Sequence, residues 1–314
     1  MADLLHLVDK PEGWTSHDVV ARMRRILRER RVGHAGTLDP FATGLLIVAE
    51  GRATALLGCL SLLPKRYLAK AHLGIATDTQ DRTGVPIRVS ERVPGQDGIL
   101  AAVERLRGQT RQRPPLFSAV RVRGERLYKA ARRGESPDRG ERSIRIYELE
   151  VLGGTPPELE LDMTVSRGTY VRTLAHDLGE ALGCGAHLVS LRRIASGPLH
   201  VDEALSPEPC SGNGADEFRD RALTPANAVR HLPRARLTSE EAARLRQGRA
   251  PSLGPQRIEP APLAYPLPPG EPGWPLALLA PEGNLLGLGG SPCPGVGSET
   301  PPSHPPIRLL RVFP

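Results

Sequence analysis

The sequence predicts an α+β protein in which helices and strands alternate along most of the chain and a smaller, strand-rich part follows. Three observations carry that expectation. Between Asp18 and Arg31 the apolar residues Val19, Met23, Ile26 and Leu27 recur at the spacing of one helix face, with arginines filling most of the remainder. Between Tyr67 and Leu73 the period becomes two: Tyr67, Ala69, Ala71 and Leu73 alternate with Leu68, Lys70 and His72, as on a strand. Beyond Ala204 the composition shifts and proline becomes frequent, which sets a second region apart from the first.

Leu5 to Val8 reads as an opening strand. Asp9 to Thr15 then reads as a turn that delivers the chain to an N-cap at Ser16, with Asp18 in the favourable first turn. The arginine-rich helix leads into Gly33-His34-Ala35-Gly36-Thr37-Leu38-Asp39-Pro40-Phe41-Ala42-Thr43-Gly44 and the apolar run Leu45-Leu46-Ile47-Val48, which reads as buried. The glycines permit tight or left-handed backbone, and Pro40 biases Asp39 towards an extended conformation. The carboxylate therefore leaves a rigid turn and can point into a cleft, although Asp-Pro is also an ordinary turn initiator.

Farther on, Thr77 to Gly84 lacks the Asp-x-Asp-x-Asp-Gly spacing of a calcium loop and reads as a connection. Helices are expected over Ile99–Leu106 and over Leu127–Arg133, the second closed by Gly134. Ser143–Val151 and Glu158–Val165 read as neighbouring strands joined around Gly153 to Pro157. Ser166 to Gly179 opens a helix ending near Gly183, and Gly185 to Arg193 reads as a buried strand. In the tail, Thr238 to Glu241 is a capping box for a helix that Gly248 closes. Trp274–Leu279, Asn284–Leu288 and Ile307–Phe313 look like strands, and Gly289 to Pro306 is low-complexity and expected to be disordered.

The excess of 42 Lys+Arg over 35 Asp+Glu favours an anionic partner. Only Lys10, Lys65, Lys70 and Lys129 are lysines; the rest are arginines, a bias that an arginine-rich genome explains as well as phosphate binding does. Cys59, Cys184, Cys210 and Cys293 form no Cys-x-x-Cys pair, so neither a zinc knuckle nor a disulfide framework is indicated. No Gly-x-Gly-x-x-Gly or P-loop follows a strand, and the His-x-Glu and Pro-Cys-x-x-Cys pair of a zinc nucleobase deaminase is missing. No apolar run reaches membrane-spanning length and no secretion signal opens the chain, so a cytoplasmic protein is expected.

The run His34-Ala35-Gly36-Thr37-Leu38-Asp39-Pro40 with Ala42-Thr43-Gly44 resembles the signature of the TruB-type tRNA pseudouridine synthases. Asp9-Lys10-Pro11-Glu12-Gly13, Lys65-Arg66-Tyr67, Pro115 to Ala119 with Tyr128, Ala131 and Arg132, and Gly168 to Thr173 with Asp177-Leu178-Gly179 are similar to further motifs of that family, as is the strand around Leu191. Arg121 is a departure, since the family usually has lysine there.

The resemblance implies a mixed, mostly antiparallel pseudouridine-synthase sheet with flanking helices over 1–230, and a small PUA-like RNA-binding β-barrel over 231–314. It also implies isomerisation of the TΨC-loop uridine by base flipping, with tRNA recognised at its T-arm by a monomer that needs no cofactor and no metal. Asp39 would be the catalytic anion, as nucleophile at C1′ or C6 or as base at C2′, and Arg172 would pair with it. Tyr67 would stack on the uracil with Leu191 on its other side, Tyr170 would back the pocket, and His34 would occupy the space the flipped base leaves. A non-catalytic RNA-binding protein would share the charge but has no use for a rigid acid amid basic surface.

Overall fold

The computed structural model describes residues 3–118, 121–122, 125–127, 133, 135, 137–208, 214–261, 265–271, 273–290 and 308–313. The strands used below are β1 (Leu5–Lys10), β2 (Val32–Ala35), β3 (Thr43–Glu50), β4 (Lys65–Leu73), β5 (Ile75–Thr77), β6 (Pro86–Val89), β7 (Ile146–Gly153), β8 (Glu158–Val165), β9 (Ala186–Ser196), β10 (Arg234–Arg236), β11 (Leu276–Leu279), β12 (Leu285–Gly289) and β13 (Leu309–Val312). The helices used below are α1 (Ser16–Leu27), α2 (Gln96–Arg107), α3 (Val171–Ala181), α4 (Gly214–Asp220) and α5 (Ser239–Arg246). The chain forms two compact units: Met1–Asp39 with Leu45–Leu63 and Gly197–Pro314, and Pro40–Gly44 with Pro64–Ser196.

In the first unit the cap of α1 lies one residue earlier than expected. Thr15, in extended backbone, is the N-cap, and it forms a capping box with Asp18. Ser16 is thereby free to bond elsewhere, and its buried hydroxyl accepts from the Leu38 amide at 2.9 Å and donates to the Leu38 carbonyl at 3.2 Å. The helix stops at Leu27, short of Arg31, because Arg28 turns into the left-handed region with φ 54. Val19, Val20, Met23 and Leu27 pack with Val8, Val32, Leu46, Val48 and Phe218, so the stripe that predicted the helix is the stripe it buries. β2 lies antiparallel to β3, pairing His34 with Val48.

The same unit ends in a four-stranded sheet ordered β10-β11-β12-β13, parallel at the first pairing and antiparallel at the others. Its own core includes Ala235, Leu237, Leu245, Leu276, Leu278 and Leu286. α5 has the expected Thr238–Glu241 capping box. The expected barrel is not closed among the described residues: β10 and β13 are the two ends of the order, and closure requires the ends to pair. Apart from Gly289 and Gly290, the expected disordered stretch lies outside the described residues or at their edge.

The second unit is built on β9-β4-β8-β7, antiparallel throughout. β8 pairs with β4 along its whole length, Glu158 facing His72 and Val165 facing Lys65. The alternation seen in the sequence puts Tyr67, Ala69, Ala71, Leu159, Leu161 and Met163 in the core. Arg66 and Lys70 fall on the other face, where they pair with Asp162 at 2.6 Å and Glu160 at 2.7 Å. Such exposed pairs are worth roughly 0–1 kcal/mol each, so burial of the apolar face is the main stabiliser here. α2 packs on β7 and α3 on β9.

The expected helix at Leu127–Arg133 falls largely outside the described residues. Arg121 lies in a two-residue strand antiparallel to Glu125–Arg126, and its side chain is likewise outside them. Cys59 and Cys184 are buried free thiols, and burial pushes the Cys59 thiol up to about 12. Among the described residues no helix is long and apolar enough to cross a membrane, and no cluster of acids, histidines and cysteines has the form of a metal site.

Candidate active site

Arg172 is the second residue of α3 and is only 4% exposed, although an arginine near a helix start is more often on the surface. Its burial is matched by specific acceptors. Nη1 donates to the Thr79 carbonyl at 2.9 Å and Nη2 to the Phe117 carbonyl at 3.0 Å. The carboxylate of Asp81 lies 3.6 Å from Nη1 through Oδ2.

Asp81 is held in turn by its own loop. Its Oδ1 accepts from the Thr79 hydroxyl at 2.8 Å, the Thr83 amide at 2.9 Å and the Thr83 hydroxyl at 2.6 Å. Three donors on Oδ1 leave Oδ2 for the guanidinium, so the orientation of the pair is set from the acid's side. The connection Thr77 to Gly84 is thus a rigid bracket for Arg172, with Thr173 donating to Gln80 at 2.9 Å and Asp81 bridging to Leu188 of β9. Sequence reasoning missed Asp81. The available signal was a threonine two residues to either side, the spacing at which an Asp side chain caps its own turn.

Tyr170 is the N-cap of α3 and is half-buried. Its amide donates to Gln112 Oε1 at 2.8 Å, and Gln112 Nε2 donates back to the Tyr170 carbonyl at 3.1 Å. This reciprocal clamp fixes the chain where it enters α3. Gln112 also went unrecognised in the sequence, since nothing local marks a lone glutamine as a clamp.

Tyr67 and Leu191 come together on adjacent strands. Tyr67 stands opposite Arg193 and Leu191 opposite Ala69, so the ring and the leucine share the buried face of β4 and β9. They are 8% and 6% exposed. Against the same strand β9 lies the start of β3: Thr43 and Gly44 pair in parallel with Arg192 and Arg193. Gly44 has φ +101, and a Cβ there would stand 2.3 Å from the Arg193 carbonyl oxygen, so only glycine fits this approach. Pro40 to Gly44, the segment that leaves Asp39, is thereby pinned within the second unit.

Asp39 itself is half-exposed at the end of the first unit's loop. On its N-terminal side Leu38 is buried and locked by Ser16, and Gly36 adopts φ 93, the left-handed turn that the sequence predicts. His34 is half-buried in β2. Lys10, fully buried, donates to the Pro11 carbonyl at 2.8 Å and the Trp14 carbonyl at 2.6 Å, bracing the turn before α1.

The family model described as "TruB family pseudouridylate synthase (N terminal domain)" matches residues 24–171, and that described as "tRNA pseudouridylate synthase B C-terminal domain" matches 172–208. The chain belongs to the TruB family. A TruB relative from Geobacter sulfurreducens, named tRNA pseudouridine synthase B, is 45% identical over 247 residues, covering 78% of this chain and 81% of its own length. One of the same name from Thermobifida fusca is 42% identical over 300 residues, covering 92% of this chain and 94% of its own.

Two solved structures share the fold. One is a chain of a Cbf5-Nop10-Gar1 complex, with TM-score 0.68 and 30% identity, covering 91% of this chain and 77% of that one. The other is a chain of an H/ACA RNP bound to a substrate RNA containing 2′-deoxyuridine, with TM-score 0.69 and 25% identity, covering 99% and 84%. The TruB family model ends at Val171, so the boundary between the two matches falls inside the first turn of α3, immediately before Arg172.

Proposed function

We propose that this TruB-family chain is a tRNA pseudouridine synthase that isomerises the uridine at position 55 of the TΨC loop, recognising tRNA through its T-arm as a cytoplasmic monomer. The reaction breaks the N1–C1′ bond, turns the uracil over and joins C1′ to C5; the proton on C5 leaves and N1 ends protonated. Atoms and electrons balance within the nucleotide, so neither a cofactor nor a metal is required.

The observation that carries the reading is the combination, in one unit, of a flat buried face bearing Tyr67 and Leu191 with a buried arginine aligned by two carbonyls and Asp81. Tyr67 and Leu191 provide the slot in which the uracil stacks and turns. Arg172, with its charge fixed in place, is the partner we assign to Asp39, holding that carboxylate towards the ribose. Asp39 acts as nucleophile at C1′ or C6 or as base at C2′. Tyr170 backs the pocket, and His34 fills the place of the extruded base.

The separate hydrophobic core of the C-terminal sheet supports an RNA-binding, PUA-like domain over 231–314, following a catalytic domain over 1–230. Incubation of the purified protein with unmodified tRNA, followed by mapping of pseudouridine, tests the assignment. Asp39→Asn should keep tRNA binding and lose activity by several orders of magnitude, as loss of a nucleophile or base does. Substantial turnover by that variant would sink the role given to Asp39.

A further inference from the structure

A cavity of about 560 Å³ in the first unit has no part in the chemistry above. It lies between the C-terminal half of α1 and the length of α4. Arg22 and Arg25 of α1, Arg28 just beyond it and Arg219 of α4 line it over a floor of Ile26 and Phe218. Glu208 and Asp216 are its acids, with Asp216 lying 3.8 Å from Arg219, so the lining carries a net positive charge.

Two of the arginines are fixed in advance. Arg22 donates through Nε to the Pro207 carbonyl at 3.1 Å, and Arg219 through Nη2 to the Leu27 carbonyl at 3.2 Å. Arg25 and Arg28 are exposed, and neither has an ion pair among the described residues. Basic residues at a helix C-terminus complement its dipole, which accounts for Arg25. It does not account for Arg22 a turn earlier, or for Arg219 arriving from another helix.

Arg28 is the most telling. It stands at φ 54, a backbone conformation that glycine adopts without strain and that arginine adopts reluctantly. That conformation is the cap that ends α1, and it sets the Arg28 guanidinium in the wall of a cavity lined by three others, an arrangement suited to an anionic ligand. Guanidinium forks match the paired oxygens of a phosphodiester.

Resting on the reading of the protein as a tRNA-modifying enzyme, we propose that this cavity binds the phosphodiester backbone of the tRNA. It is a second RNA contact, beyond the nucleotide that reacts. Arg25 and Arg28 reach the phosphate oxygens, while Arg22 and Arg219 hold the cavity open and positive.

The test uses the full-length protein and full-length tRNA transcript, with Kd measured across roughly 50–300 mM salt. The double variant Arg25→Gln/Arg28→Gln should weaken binding about tenfold near physiological salt and reduce the slope of log K against log salt by about two, one per lost phosphate contact. Arg28→Gly should hold or raise the thermal midpoint, because glycine suits φ 54, yet lose about one unit of slope. A residue that served only the fold would not split the two readouts that way.

Arg30→Gln, the same loss of one charge as Arg28→Gly but just past the same helix and outside the cavity, should leave the slope where it was. An unchanged slope and Kd in the double variant, or a loss in Arg30→Gln equal to that in Arg28→Gly, would overturn the proposal. Pseudouridine formation by the unaltered protein on the same transcript is scored separately. A cavity-dependent slope without isomerisation would fail the activity and keep the site, and isomerisation with an indifferent cavity would do the reverse.

Discussion

Asp81 makes Arg172 a fixed instrument instead of a mobile charge, and its removal should expose how much of the protein depends on that. Asp81→Asn keeps the shape and takes away the charge that faces a buried guanidinium. Breaking a buried pair from one side costs about 3–5 kcal/mol, so a clear drop in thermal midpoint and in kcat is expected. Arg172→Lys should not restore function, because one ammonium cannot serve the Thr79 and Phe117 carbonyls in the fork geometry. Full activity in either variant would show that the bracket is dispensable. For Tyr67 the ring is what matters: Tyr67→Phe should retain most activity, while Tyr67→Ala should lose roughly 1–3 kcal/mol of base stacking, read as a roughly five- to 150-fold fall in kcat/KM. The buried face that Tyr67 and Leu191 share was legible in the sequence because the period of two marks it, whereas Arg172, expected beside Asp39, stands against Asp81. Asp81 and Gln112 were not legible, because both act on backbone or side-chain atoms brought close by the fold from many positions away, and no local pattern records such a partner.

At the scale of single elements, the approach of β3 to β9 is the most demanding contact. Gly44→Ala would set a methyl group 2.3 Å from the Arg193 carbonyl at a φ of +101, against backbone that cannot swing aside, so severe destabilisation and loss of activity are expected. Gly58→Ala is the matched control, since nothing lies within 4 Å of its added Cβ. In that position, inside the short helix Leu57–Ser61, alanine should raise stability by about 0.5–1 kcal/mol, which thermal unfolding of both variants would measure. The helices were readable because an amphipathic stripe predicts its own burial, yet their ends moved. Thr15 took the cap that Ser16 was expected to provide, since Ser16 bonds instead to Leu38, a partner 22 positions distant. β10 escaped notice because three residues reading Arg-Ala-Arg show too little alternation to signal a strand.

For the molecule as a whole, acid sensitivity should follow its buried imidazoles. Burial holds His231, enclosed edge-on by Tyr265 and Trp274, down to about 4, and His6 is held to a similar value for the same reason. The unfolded chain takes up protons near the ordinary histidine value, so stability should fall as pH drops from about 6.5 to about 4 and be flat with respect to these groups above that window. His231→Phe should narrow the gap between neutral and acid stability by an amount on the order of 3 kcal/mol or less, and a pH-independent difference between variant and parent would contradict the burial argument. The two-unit organisation itself was invisible in the sequence, because the first unit is assembled from three separated stretches of chain. That division also gives the protein a pair of natural reporters. Cys59 is sealed inside one unit and Cys184 inside the other. Pulses of an alkylating reagent, read peptide by peptide, would time the opening of each unit independently in the unaltered protein, and addition of tRNA would reveal which unit the substrate slows.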